Sequence, residues 1–237
     1  NDATTQEVAV DNYLSQLDNL DLKNITIGLP KEFYGEGLSP EVKQAIDNKI
    51  EELKAKGATI KEVSIPSTKY GLGVYYILVP AEISSNRARY DGVRYGKKVS
   101  DNYEQNMVES RSKYLEEEVK RRIMIGTYSL SAGYADQFYK QASKVRTKLK
   151  REFEAALKEV DCLLTPVSPT TAFKLGEKAN DPVQMYLVDI YTVTANLVGV
   201  PAIAIPAGKD KDGMPIGLQI MGRQFEEGKL MGVAGEI

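Results

Sequence analysis

The stretch that decides the fold is residues 25–65, which read ITIGLPKEFYGEGLSPEVKQAIDNKIEELKAKGATIKEVSI. The first six residues, Ile25–Pro30, alternate and are rich in β-branched side chains, which predicts a short strand that ends at a proline. A helix is predicted to follow, with Ser39 as its N-cap and Pro40 in its first turn. A second strand is predicted over residues 59–65. Strand, helix and strand with short joints indicate a βαβ unit, whose two strands are parallel.

Beyond this unit, the pattern predicts a helical middle and a second group of strands. We expect helices over residues 73–90, 116–125, 132–160 and 181–197, and a long loop over residues 91–112. We expect strands over residues 162–166, 202–206 and 215–221, with the last two antiparallel. The whole is an α/β fold with a mixed, largely parallel sheet flanked by helices. Residues 1–24 are interpreted as a lead-in segment, and residues 25–237 as part of a single domain.

The composition excludes several classes of chemistry. Among 237 residues there are 31 Lys and Arg against 33 Asp and Glu, so the net charge is −2. Such a chain has no overall field for nucleic acid, and RNA contact would need a local patch or a partner protein. The chain has no histidine and one cysteine, which excludes Ser-His-Asp and Cys-His catalysis and leaves only oxygen ligands for a metal. We therefore predict no metal site.

Short motifs add little. Phosphate-binding loops and the G-x-S-x-G elbow are absent, and the serine pairs at residues 84–85 and 129–131 favour structural roles. The basic helix face over residues 140–151 is interpreted as solvated surface. Cys162 lies in an apolar run, which favours a buried inert thiol, and a single cysteine fits a cytoplasmic location. No apolar run reaches transmembrane length, so we predict no membrane contact.

Two ionisable residues stand out from their surroundings. Arg122 lies where a charged helix face becomes apolar, and Asp189 lies inside the apolar run 185–191. A carboxylate is costly in such a run unless it is paired. Composition alone nevertheless favours a surface arginine and a loop-capping aspartate, because structural ion pairs outnumber ligand sites.

Blocks of this sequence, in order over nearly the whole chain, are similar to those of one family. They are Pro80–Gly96, Val119–Tyr128, Ser131–Tyr134, Lys144–Thr147, Leu164–Phe173, Asn196–Ala202 and Pro215–Gln219. The chain thereby resembles the A subunits of tRNA-dependent amidotransferases, which belong to the amidase-signature superfamily. The departures are small: Arg87 stands where the family usually has Leu, and Thr194-Ala195 replaces the common Pro-Val.

This resemblance implies the C-terminal part of the amidase-signature fold. The family hydrolyses glutamine with a Ser–cis-Ser–Lys triad, and nothing in this chain matches the blocks that carry the triad. We therefore expect no catalytic residues here, and no amidase activity from this chain alone. The resemblance implies subunits B and C as partners, which receive the ammonia and amidate Glu-tRNA(Gln). It also implies that ATP, Mg and tRNA are handled by the partner, with no cofactor in this chain and no DNA contact.

The resemblance reverses the interpretation of the two unusual residues. In the family, arginine and aspartate at the positions of Arg122 and Asp189 hold the substrate glutamine. A guanidinium takes the α-carboxylate bidentately, and a carboxylate takes the ammonium. A tyrosine just upstream, either Tyr75 or Tyr76, is implied to add a hydroxyl contact. Two alternatives stay open: a generic amidase acting on another small amide, or a non-catalytic amino-acid-binding module.

Overall fold

The computed structural model describes residues 5–178 and 181–237. Its helices are α1 Tyr13–Asn19, α2 Pro40–Ala55, α3 Gly71–Arg87, α4 Tyr103–Tyr114, α5 Glu117–Leu130, α6 Tyr139–Glu159, α7 Pro182–Leu187, α8 Val193–Val198 and α9 Glu227–Gly235. Its strands are β1 Thr26–Pro30, β2 Thr59–Val63, β3 Cys162–Pro166, β4 Ala202–Lys209 and β5 Pro215–Met221. In these ranges no helix is both long enough and apolar enough to cross a lipid bilayer.

The five strands form one sheet in the order β2-β1-β3-β5-β4. Strand β1 is parallel to both β2 and β3, with Thr26 opposite Thr59. Strand β5 is antiparallel to both β3 and β4, with Leu164 opposite Ile220. The predicted mixed α/β class, the parallel β1–β2 pair and the antiparallel β4–β5 pair are confirmed.

Helix α2 begins as its sequence predicts. The Ser39 hydroxyl accepts the Val42 N–H at 3.2 Å, and Pro40 fills the first turn, where a missing N–H costs nothing. The apolar stripe of α2 is buried, and it belongs to one cluster with residues of the sheet and of α9. That cluster includes Ile27, Val42, Ile46, Ile50, Leu53, Leu164, Leu218, Ile220, Leu230 and Val233.

The chain divides into two compact units. The first unit contains residues 1–72 and 147–237, and therefore the whole sheet with α2 and α9. The second unit contains residues 73–146, and therefore most of α3 together with α4 and α5. The lead-in segment also has structure of its own, because it contains α1, which packs against α9.

The prediction of a loop over residues 91–112 was wrong in its second half, where α4 begins. Asn102 caps this helix by accepting the Gln105 N–H at 2.9 Å. The buried residues of α4 are Asn106 and Ser110. Because these residues are polar, α4 has no apolar stripe, and a search for apolar periodicity misses it.

The single helix predicted over residues 181–197 is two short helices, α7 and α8. The turn 188–192 separates them. Asp189 lies in this turn and is exposed, so its carboxylate is not inside an apolar helix as the sequence suggested. The long helix α6 is confirmed, although it begins at Tyr139 rather than at residue 132.

Candidate functional site

Helix α5 meets the backbone of α3 at Gly126. A Cβ added at Gly126 would lie 1.9 Å from the carbonyl oxygen of Pro80 and 2.9 Å from the amide nitrogen of Ala81. Both contacts are with backbone atoms, so only glycine fits at this position. One helical turn earlier on each helix lie Arg122 and Tyr76, because each is four residues before its partner at the contact. The close approach at Gly126 thus prepares the contact made by Arg122.

Arg122 is set between its own helix and α3. Its Nε donates to the Glu118 carboxylate at 2.9 Å, at i,i+4 spacing along α5. Its guanidinium carbon lies 5.3 Å from the centre of the Tyr76 ring, which is a cation–π contact. The Arg122 side chain is only 23% exposed, so it is held in place rather than freely solvated.

The surroundings keep Arg122 charged. Partial burial lowers the pKa of Arg122, but the hydrogen bond with Glu118 and the Tyr76 contact raise it further, so the pKa lies above its usual range. Glu118 was missed by the sequence reasoning. Its spacing of four residues before Arg122 was the signal that could have identified it.

Tyr75 and Tyr76 both belong to the surroundings of Arg122. The hydroxyl of Tyr75 makes a hydrogen bond with the guanidinium, whereas Tyr76 offers its ring face. The two rings meet edge to face, with centroids 5.2 Å apart and an interplanar angle of 77°. Three of the four predicted site residues are therefore together in the second unit.

Asp189, the fourth predicted residue, belongs to the first unit. Its backbone carbonyl accepts the N–H groups of Thr192 at 3.0 Å and Val193 at 3.1 Å, which closes the turn before α8. Its neighbours Val188 and Ile190 line a cavity of about 260 Å³, whereas Asp189 does not line it. The pairing of Asp189 with Arg122 around one ligand stays a prediction.

The remaining candidates have structural explanations. Each of the four paired serines donates its hydroxyl to a backbone carbonyl three or four residues earlier, for example Ser84 to Ala81 at 2.8 Å and Ser129 to Gly126 at 3.0 Å. Cys162 is fully buried, and burial raises the pKa of its thiol to about 12, which suits an inert group. Within the described ranges, no cluster of three or more His, Cys, Asp or Glu is placed to hold a metal.

Comparison with known proteins agrees with the fold and with the blocks quoted above. The chain matches the Amidase family over residues 1–231. It belongs to this family. It is 49% identical over 235 residues to the glutamyl-tRNA(Gln) amidotransferase A subunit of Sulfurihydrogenibium sp. (strain YO3AOP1), covering 98% of this chain and 48% of that protein. It is 52% identical over 237 residues to the protein of the same name in Carboxydothermus hydrogenoformans, with the same two coverages.

Solved structures show the same family relationship. The crystal structure of the glutamyl-tRNA(Gln) amidotransferase A subunit from Thermotoga maritima is 37% identical, with a TM-score of 0.75 over 98% of this chain and 46% of that one. A 6-aminohexanoate cyclic dimer hydrolase, at 20% identity and a TM-score of 0.72, shares the fold. This member of the amidase family spans about half the length of the curated relatives it matches.

Proposed function

We propose that this chain is the C-terminal half of the glutamine-hydrolysing subunit of a tRNA-dependent amidotransferase, and that it contributes the residues that bind the amino acid. The observation that carries the proposal is the placement of Arg122. It is a charged, three-quarters buried guanidinium that Glu118, Tyr75 and Tyr76 hold in one position. The similarity to the A subunits of these enzymes supports glutamine as the ligand.

The chemistry of recognition follows from the two charges. Glu118 occupies the Nε donor of Arg122, so the α-carboxylate of glutamine would meet the terminal nitrogens. The exposed carboxylate of Asp189 would take the ammonium. This pair selects free glutamine over a peptide-bound residue, because both ends of the latter are neutral amides.

The hydrolytic step belongs to residues outside this chain in this proposal. A Ser–cis-Ser–Lys triad would release ammonia, subunits B and C would accept it, and B would handle ATP, Mg and tRNA in the cytoplasm. The chain alone is therefore expected to bind glutamine and release no ammonia. Ammonia release by the purified chain would contradict this division of labour.

Calorimetry with three ligands tests the proposal. Glutamine carries both charged ends, N-acetylglutamine lacks the ammonium, and glutaminamide lacks the α-carboxylate. We expect millimolar binding of glutamine that Arg122→Ala weakens at least tenfold, because truncation leaves a charged partner unpaired. Lys120→Ala is the matched control, since Lys120 lies on the same helix and pairs with Glu117 instead.

The three ligands also separate the alternatives. Asp189→Ala should bind glutamine and N-acetylglutamine equally if Asp189 receives the ammonium. Equal weakening by Arg122→Ala and Lys120→Ala would refute the proposed site. Unchanged turnover of another small amide after both site substitutions, in the assembled enzyme, would favour a generic amidase. Tight glutamine binding without any partner would favour a free-standing amino-acid-binding module.

A further inference from the structure

A surface rich in arginine, lysine and tyrosine lies in the second unit. It consists of residues 87–98 together with Arg111, Lys113 and Tyr114 of α4, and we call it the basic loop surface. It contains seven cationic side chains and a single carboxylate, whereas the net charge of the chain is −2. The positive charge of this chain is thus concentrated locally, which is the condition for contact with a polyanion.

The one carboxylate of this surface, Asp91, is directed inward. It is only 4% exposed, and it accepts the backbone N–H groups of Val93 and Arg94, both at 2.9 Å. These hydrogen bonds lower the pKa of Asp91 to about 2. The side chain of Arg94 touches the same carboxylate at 3.2 Å but is 71% exposed. Cations therefore dominate the solvent side of the loop.

Buried polar side chains of α4 fix the loop. Asn106 accepts the Val99 N–H at 2.7 Å and donates to the Gly92 carbonyl at 2.9 Å, and Ser110 donates to the Lys97 carbonyl at 2.8 Å. Long loops without secondary structure are uncommon in compact domains and usually serve a function. Holding the cations in advance reduces the entropy that binding would otherwise cost.

Exposed aromatic rings alternate with the cations. Tyr95 is 59% exposed, and Tyr90 and Tyr114 are also exposed. The guanidinium of Arg87 lies 5.2 Å from the Tyr90 ring centre, and the Lys97 ammonium lies 5.4 Å from that of Tyr114. Cations for phosphates beside rings for bases are what single-stranded nucleic acids require. An acidic protein would use the cations but would leave the exposed rings without a role.

We propose that the basic loop surface binds single-stranded nucleic acid, with Arg and Lys contacting phosphates and Tyr95 stacking on a base. This inference is independent of the proposed glutamine site, since none of that site's residues belongs to the surface. Its failure would leave the amino-acid site untouched, and the reverse is also true.

Fluorescence anisotropy with labelled ten-nucleotide strands of one mixed sequence, as RNA and as DNA, tests it in a salt series. Each phosphate contact on a single strand contributes about 0.7 to the slope of log K against log salt. We expect Arg89→Gln with Lys97→Gln to reduce that slope by about 1.4 and to weaken binding roughly tenfold at low salt. The control, Lys43→Gln with Lys54→Gln on α2, removes the same charge from two exposed positions and should change neither.

Stacking has its own pair of variants. Tyr95→Ala should weaken binding at least about fivefold, whereas Tyr95→Phe, which keeps the ring, should not. Tighter binding of RNA than of DNA would assign RNA, and equal binding would assign either strand. No binding by the wild-type chain at ~100 μM, or equal losses in the control, would overturn the proposal. So would an unaltered Tyr95→Ala affinity combined with equal competition by polyglutamate, which would indicate an acidic protein surface.

Discussion

Substituting alanine for Gly126 is the change that most directly perturbs the setting of Arg122. The added Cβ would lie 1.9 Å from the Pro80 carbonyl oxygen and 2.4 Å from its carbon. A carbon–oxygen contact normally requires more than ~3 Å, so the two helix backbones must separate by about 1 Å. Overpacking of this kind typically costs ~1–3 kcal/mol, and the contact with two rigid backbones favours the upper half of that range.

Helix propensity acts in the opposite direction and sets the net effect. Alanine is favoured over glycine inside a helix by ~1 kcal/mol, so a net loss of ~1–2 kcal/mol is expected for Gly126→Ala. Gly73→Ala is the matched control, because Gly73 lies in α3 and an added Cβ there has no neighbour within 4 Å. The control should therefore be neutral or slightly stabilising.

Urea unfolding followed by circular dichroism measures both variants, and glutamine calorimetry reports the effect on the site. The expected order of stability is Gly73→Ala at or above wild type, and Gly126→Ala below it. Glutamine affinity should also fall in Gly126→Ala, because a shift of α5 moves Arg122 away from Tyr76. A Gly126→Ala chain as stable as the Gly73→Ala chain would refute the reasoning about the helix contact.

Three further predictions concern the cap, the loop and the buried thiol. Ser39→Ala should lower the free energy of unfolding by ~1 kcal/mol, whereas Ser39→Asp keeps the N-cap; equal losses would contradict the capping role. Asn106→Ala should accelerate hydrogen exchange at the Val99 and Ser100 amides but not in α2, and exposed Gln105→Ala should not; unchanged protection would show that the Asn106 amide does not hold the loop. The folded pKa of Cys162 is about 12. The stabilisation from its protonated thiol is therefore complete below the unfolded pKa and falls above about pH 8.5 by ~1.4 kcal/mol per pH unit. Comparing wild type with Cys162→Ala between pH 8 and 9.5 should reveal that difference in slope, and identical slopes would exclude it.

The sequence predicted the βαβ unit well because its signals are local. Ser39, Pro40 and the apolar stripe of α2 specify a helix without help from distant residues. Helix α4 escaped prediction because its buried face is polar and is satisfied by a loop that precedes it, through Asn106 and Ser110. The break between α7 and α8 was missed because the apolar run around Asp189 carries no glycine or proline to mark it.

The site was predictable only in part, for a related reason. Arg122 could be singled out from its position and from the family resemblance. Its placement on Tyr76 depends on two helices, distant from each other in sequence, approaching at Gly126, which no local pattern encodes. Glu118 was within reach, because the i,i+4 spacing to Arg122 is a local signal.

The central claim is that Arg122 and Asp189 hold the two charged ends of one amino acid. A crystal structure of the assembled amidotransferase that contains this chain, with glutamine bound, tests it most directly. The account predicts the guanidinium of Arg122 on the α-carboxylate and the carboxylate of Asp189 on the ammonium, each within ~3 Å. Glutamine bound with either charged end held by other residues would contradict it.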